Sequence, residues 1–148
     1  MAIYKTQNVT ETEKIGYLLG NTVKDGTVVA MFGDLGAGKT AFTRGFAKGM
    51  GFDGDVSSPT FALVNEYRGK KRTIYHFDMY RISGWDDLYS TGYFDYLDAG
   101  GCLIIEWSEN IEAILPEDCI KVTITKTDDF NERNIEITGA DLLENTGG

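Results

Sequence analysis

Two cysteines in 148 residues are too few for a disulfide framework. Cys102 and Cys119 each sit in or beside an apolar, strand-like run, so buried thiols in a reducing cytoplasm are expected, with no metal or nucleophile role. No apolar run approaches the length of a bilayer-spanning helix, and the start, Met1-Ala2-Ile3-Tyr4-Lys5-Thr6, lacks the architecture of a signal peptide. The expectation is a cytoplasmic protein with no membrane partner. Basic residues are also short, 14 against 23 acidic ones, for a formal charge of −9. That balance opposes unaided binding to a nucleic acid backbone, which needs clustered Lys and Arg to displace counterions. The local basic group Arg68, Lys70, Lys71 and Arg72 flanks a glycine turn and reads as a solvated hairpin tip. An acidic chain can still act on a nucleic acid pathway through a basic protein partner. The one histidine, His76, lies in an apolar strand, where a hydrogen-bonded structural role is favoured over that of a base. There is no internal repeat, low-complexity tract or separating linker, so residues 1–148 are expected to form one domain.

What is present centres on Gly33-Asp34-Leu35-Gly36-Ala37-Gly38-Lys39-Thr40, which fits the phosphate-binding pattern G-x-x-x-x-G-K-[ST]. A chain of this length matches by chance on the order of once in a hundred at ordinary residue frequencies. The flanks add specificity. Val28-Val29-Ala30-Met31-Phe32 is a buried-strand run, and Thr40 to Lys48 is a helix with Phe42, Phe46 and Met50 on one face. The glycines let backbone N–H groups turn inward, and the helix N-terminus adds partial positive charge. Lys39 would then reach the β- and γ-phosphates, and the Thr40 hydroxyl would ligate Mg²⁺.

Along the chain, Ile3-Tyr4 is a short strand and Thr10-Glu11-Thr12-Glu13 is a capping box with Thr10 as N-cap. The helix it opens buries Ile15, Leu18, Leu19 and Val23 and stops at Asp25-Gly26. Phe61 to Tyr67 and Thr73 to Asp78 flank the turn at Arg68-Gly69-Lys70, which makes them antiparallel and the sheet mixed. Ser83 caps a short helix through Trp85 and Leu88, broken at Gly92, and a further turn carries Tyr93, Phe94 and Leu97. The aromatics Trp85, Tyr89, Tyr93 and Phe94 are assigned to the core rather than to an interface. Cys102 to Trp107 is a buried strand, Glu109 to Leu115 a helix stopped at Pro116, and Ile120 to Thr125 pairs with Asn134 to Thr138.

A phosphate loop needs an acid near its metal, and two candidates close apolar strands: Asp78 after Ile74-Tyr75-His76-Phe77, and Glu106 after Leu103-Ile104-Ile105. In open α/β sheets ligands gather at strand C-terminal ends. One acid could hold Mg²⁺ while the other orients or deprotonates the attacking water, and the residues alone do not say which. Each taken singly is equally a strand-end acid facing solvent. Thr60, after Pro59, lies where switch residues sense a γ-phosphate, though a plain turn residue fits the pattern too. Thr125-Lys126-Thr127-Asp128 and Asp98-Ala99-Gly100-Gly101 imitate guanine-reading and GTPase motifs. The first falls in a hairpin loop and the second precedes its strand, so adenine is the expected base.

Four segments together, the phosphate loop, Ser58-Pro59-Thr60-Phe61, His76-Phe77-Asp78-Met79-Tyr80-Arg81 and Glu106-Trp107-Ser108-Glu109, resemble the bacterial TsaE (YjeE) family. These are small ATPases of tRNA threonylcarbamoyladenosine biosynthesis. The likeness runs from about Thr10 to Pro116. It implies a P-loop NTPase-like three-layer α/β/α fold that binds ATP and Mg²⁺ and acts with TsaD-like and TsaB-like proteins, meeting tRNA only indirectly. That complex transfers a threonylcarbamoyl group to adenosine 37, and ATP hydrolysis would reset it between turnovers. The resemblance further implies Thr40 and Glu106 as Mg²⁺ ligands, Asp78 in support of metal or water, Thr60 as a switch residue and Trp107 in the functional segment. Thr10 and Arg133 are implied nucleotide contacts. Ala41 departs from members with a second threonine after the motif, and Ser108 stands where proline is frequent. A partner-dependent ATPase is thus set against a small-molecule kinase, for which no arginine-rich lid is seen, and against a nucleotide-gated binding module without hydrolysis. Phosphate release with and without acceptors separates the first two, and addition of partners separates the third.

Overall fold

The computed structural model describes residues 2–33, 38–57, 64–70, 73–79, 82 and 85–140. Seven strands form one mixed sheet in the order β1-β7-β6-β2-β5-β4-β3. They are β1 (Ala2–Thr6), β2 (Val28–Gly33), β3 (Val64–Arg68), β4 (Thr73–Asp78), β5 (Cys102–Glu106), β6 (Ile120–Lys126) and β7 (Arg133–Thr138). β6, β2, β5 and β4 run parallel, while β3 and β7 pair antiparallel to β4 and β6. The antiparallel β3–β4 hairpin and the mixed sheet are as the turn residues require. Phe61 to Leu63, the start of the expected first strand, lie outside the described residues.

β2 and β5 are central and near-continuously apolar because helices cover both their faces. On one face lie α1 (Val9–Thr22) and α2 (Lys39–Gly49), whose Leu19, Phe42, Phe46 and Met50 pack on Val29, Met31, Ile104 and Val122. On the other lie α3 (Trp85–Ser90), α4 (Tyr93–Leu97) and a 3-10 helix (Ser108–Ile114), against Ala30, Phe77, Leu103 and Ile105. A second helical layer on the opposite face of the sheet completes the three-layer arrangement.

α1 and α2 meet at backbone distance. A Cβ on Gly45 would lie 1.9 Å from the Glu13 carbonyl oxygen, and one on Gly16 would lie 2.2 Å from that of Phe42. An Arg44–Glu13 ion pair joins the two helices at the same level. This contact fixes the start of α1 beside the start of α2, and so sets the surroundings of the phosphate loop.

Three local expectations change. The N-cap of α1 is Asn8, not Thr10: the Glu11 N–H donates to Asn8 Oδ1 at 2.9 Å, and Glu11 Oε1 accepts from the Gln7 N–H at 2.7 Å. Asn8 and Glu11 make the same three-residue spacing two positions earlier, and asparagine is a stronger cap than threonine. The element after β5 is 3-10 and kinked at Ile111 rather than α-helical. Asn110 Nδ2 is tied to the Met79 carbonyl at 2.6 Å, which favours short, tight turns. Of the aromatics assigned to the core, Tyr93 is buried but Tyr89 is largely exposed. The Trp85 side chain and Ser83 lie outside the described residues.

Candidate phosphate-loop site

Gly33 ends the central strand with φ +130°, a backbone angle that side-chain-bearing residues rarely adopt. A Cβ there would sit 2.1 Å from the Ile124 carbonyl oxygen of β6, so glycine is required twice over. Gly38, at φ +104°, is the N-cap of α2 with no side-chain hydrogen bond of its own. Its position turns the chain into the helix, with the Phe42 N–H donating to its carbonyl at 3.0 Å. Asp34, Leu35, Gly36 and Ala37 lie outside the described residues, as does Thr60.

Lys39 and Thr40 open α2. The Lys39 ammonium donates to the Gly33 carbonyl at 3.0 Å and sits 3.9 Å from the centre of the Trp107 ring. The side chain is buried, 5% exposed. Thr43 pins the same turn by donating to the Lys39 carbonyl at 2.8 Å. Trp107 is the one described non-glycine residue at positive φ, with φ 59° and ψ 42°. Such a conformation costs a bulky side chain roughly 1–3 kcal/mol and persists where its surroundings enforce it. Here Ser108, fully buried, bonds back to the Ile105 carbonyl at 3.1 Å, and the turn swings the indole over the ammonium. Glu109 completes the grip, accepting the Gly33 N–H at 3.0 Å. Gly33 is thus held at its amide by Glu109 and at its carbonyl by Lys39.

Asp78 and Glu106 are register partners at the C-terminal ends of β4 and β5. Because successive residues alternate between faces, Asp78 shares a face with His76, and Glu106 with Ile104, the face that α2 covers. The Met79 N–H donates to the Glu106 carbonyl at 3.0 Å, which ties the two strand ends together. Glu106 is buried, 4% exposed, and its Oε2 lies 2.6 Å from His76 Nε2. A carboxylate held at the end of an apolar strand needs such partners to remain there.

Beside Gly38 opens a cleft of about 250 Å³ lined by Asn8, Val9, Thr12, Ala41, Phe130, Asn131 and Arg133. Arg133 therefore shares this cleft with Gly38, steadied by bonds from its guanidinium to the Phe130 and Glu132 carbonyls, both at 2.8 Å. Thr10 is exposed on α1 and is not among the lining residues; Thr12, buried and bonded to the Thr6 hydroxyl at 2.8 Å, is. The β6–β7 loop that carries Thr127 and Asp128 does reach this cleft, through Phe130 and Asn131.

Among the described residues no cluster of three or more His, Cys, Asp or Glu side chains could cage a metal alone. Mg²⁺ does not need one, since it binds through one or two carboxylates, waters and substrate phosphates. Thr40 in the first turn of α2, and Asp78 and Glu106 paired at adjoining strand ends, are of the donor types Mg²⁺ takes. Sequence reasoning gave Glu109, Asn8, Thr12 and Phe130 no site role. Their positions come from packing between distant elements, which no local spacing in the sequence signals.

A family model described as threonylcarbamoyl adenosine biosynthesis protein TsaE matches residues 6–135. A tRNA threonylcarbamoyladenosine biosynthesis protein TsaE from Bacillus subtilis (strain 168) is 38% identical over 135 residues, covering 91% of this chain and 84% of that protein. The protein of the same description from Haemophilus influenzae is 47% identical over 110 residues, covering 74% and 68%. A solved structure, described as that of Bacillus subtilis YdiB, superposes with a TM-score of 0.76 at 34% identity, covering 97% of this chain and 92% of that one. No helix among the described residues is long and apolar enough to cross a membrane.

Proposed function

This chain belongs to the TsaE family and so to tRNA threonylcarbamoyladenosine biosynthesis, and from that premise we propose that it is a Mg²⁺-dependent ATPase. It works as one domain, in the cytoplasm, on a complex of TsaD-like and TsaB-like proteins and meets tRNA only through them. The observation that carries the reading is the Lys39 ammonium, buried at the start of α2 and bonded to the Gly33 carbonyl of the phosphate-loop sequence. A buried ammonium needs partners, and phosphate oxygens are stronger ones for it than a neutral carbonyl and an aromatic ring.

On this reading Lys39 leaves the Gly33 carbonyl and the Trp107 ring to meet the β- and γ-phosphate oxygens. The amides of residues 34–38 and the N-terminus of α2 hold the rest of the phosphate chain. Thr40 and Glu106 hold Mg²⁺, with Asp78 in support of the metal or the attacking water. The bound cation neutralises charge on the transferring phosphoryl group. Thr60 senses the γ-phosphate. The nucleoside end lies in the cleft between α1 and the β6–β7 loop, where Arg133 can meet a polar edge and Phe130 can stack on a base. The strongly exposed ring of Phe130, 88% accessible, suits a group that is covered only when ligand is present.

The test is co-purification with TsaD-like and TsaB-like proteins under ATP, followed by phosphate release with and without them. Release that needs the partners, and is absent from Lys39→Ala, supports the proposal. Hydrolysis that instead needs a small acceptor makes the chain a kinase, and ATP binding without release in the assembled complex makes it a gated binding module.

A further inference from the structure

His76 is fully buried, and both its ring nitrogens have partners. Nε2 is 2.6 Å from Glu106 Oε2, and Nδ1 is 3.0 Å from the Tyr67 hydroxyl. An ionised carboxylate only accepts, so the proton between His76 and Glu106 belongs to Nε2. At Nδ1 the Tyr67 hydroxyl is the partner, and a one-way arrangement has Tyr67 supplying the proton there. Burial raises the Tyr67 phenol above its usual value, so it stays a donor. The same hydroxyl lies 3.1 Å from the Ser57 carbonyl, but Asn65 Nδ2 donates to that carbonyl at 3.0 Å and to Tyr67 at 3.4 Å. Every group is satisfied when the donors run in one direction, from Asn65 to Tyr67 to His76 to Glu106.

The backbone register builds this line. Asn65 pairs with His76 across β3 and β4, and His76 pairs with Ile104, two residues before Glu106 on β5. Tyr67 is wedged by the Phe52 ring at 4.9 Å. The line crosses three strands on the sheet face under α2, and its far end is the Ser57 carbonyl, three positions ahead of Thr60.

We infer that Asn65, Tyr67 and His76 form a one-way hydrogen-bond chain that orients the Glu106 carboxylate, which makes His76 and Tyr67 positioning residues for that acid. The inference rests on the Mg²⁺-binding role proposed for Glu106. One carboxylate oxygen is committed to the imidazole, and this sets the angle at which the group faces its ligand. Outer partners of this kind change metal affinity or activity by about 10- to 100-fold when removed.

His76 is the only histidine, so ¹⁵N spectra of its ring can be assigned without ambiguity. In the nucleotide-free protein Nε2 should carry the proton and Nδ1 should be bare, and Tyr67→Phe should shift Nδ1. A proton on Nδ1, or a spectrum unchanged by Tyr67→Phe, overturns the chain. The second arm measures the Mg²⁺ concentration for half-maximal Mg-dependent nucleotide binding, with Mg-free ADP affinity as control. His76→Leu should raise it by about tenfold or more, and His76→Gln, which keeps an N–H at the Nε2 position, should restore it to within about threefold. Equal values for the two variants, or no change in either, overturn the positioning role. If His76→Leu does not fold, Tyr67→Phe carries this arm, with a rise of about threefold expected and an unchanged requirement counting against it. Failure of the wild type to bind nucleotide would instead overturn the functional reading, and the spectra would still decide the chain.

Discussion

Replacing Lys39 by methionine should move stability and affinity in opposite directions. In the free protein the ammonium is 5% exposed, with the Gly33 carbonyl at 3.0 Å and the Trp107 ring centre at 3.9 Å. A charge-assisted hydrogen bond contributes about 1.5–3 kcal/mol and a desolvated cation–π contact about 2 kcal/mol. Against these stands the desolvation of the ammonium, several kcal/mol even after relaxation. The terms nearly cancel. Methionine keeps the length and the helix propensity of lysine without the charge, and the half-buried Gly33 carbonyl can turn to water. Lys39→Met should therefore hold its unfolding free energy within about 1 kcal/mol of wild type, on the stabilising side. Loss of about two charge-assisted contacts to phosphate removes roughly 3–6 kcal/mol of binding, at least about a hundredfold in affinity at 1.4 kcal/mol per decade. Urea denaturation of the free protein gives the first number, and isothermal titration with Mg-ATP gives the second. Destabilisation beyond about 2 kcal/mol together with ATP affinity within about threefold of wild type would make Lys39 a pin for Gly33 and refute its role as a phosphate ligand.

Gly45→Ala tests the helix–helix contact: alanine gains about 1 kcal/mol in an ordinary helix interior, but here its Cβ would lie 1.9 Å from the Glu13 carbonyl oxygen. A loss of about 2–4 kcal/mol is expected from the urea midpoint, and a gain would show that the two helices separate freely. Glu106→Ala should lower ATP turnover in the assembled complex by about a hundredfold or more; unchanged turnover by phosphate release removes the acid from the site. Tyr93 is buried and its phenol is pushed up to about 12 from 10.0, chiefly by desolvation and secondarily by Cys119. The folded state holds that proton more tightly, so the stability it contributes is complete below pH 10 and is lost as pH rises from 10 to 12. Tyr93→Phe should flatten that alkaline decline, read by denaturant melts at successive pH values, and an equal slope in both proteins would exclude Tyr93 as its source.

The strand and the helix that flank the phosphate-loop sequence were legible because their signals are local. An apolar run, glycines where positive φ is needed, and apolar spacings of four in α2 each depend on neighbours within a few residues. Gly33 and Gly38 adopt the positive φ angles that glycine alone takes readily, and Asp78 and Glu106 close their strands as the runs before them indicated. The mixed sheet followed from one short hairpin connection. Cap identity was less secure, since Asn8 and Thr10 each stand three residues before a glutamate, and the stronger cap prevailed.

Only the tertiary structure decided which distant residues meet. Sheet order brings β3, β4 and β5 side by side, and thereby aligns Tyr67, His76 and Glu106 from segments up to 39 positions apart in one hydrogen-bonded line. The αL turn at Trp107 folds the indole onto Lys39 and Glu109 onto Gly33, 76 residues away. Close approach at Gly16 and Gly45 sets the start of α1 beside Gly38, and so makes Thr12 rather than Thr10 a wall of the cleft. Backbone preferences act over a few residues, whereas side-chain contacts between strands and helices depend on register, twist and packing, which belong to the chain as a whole.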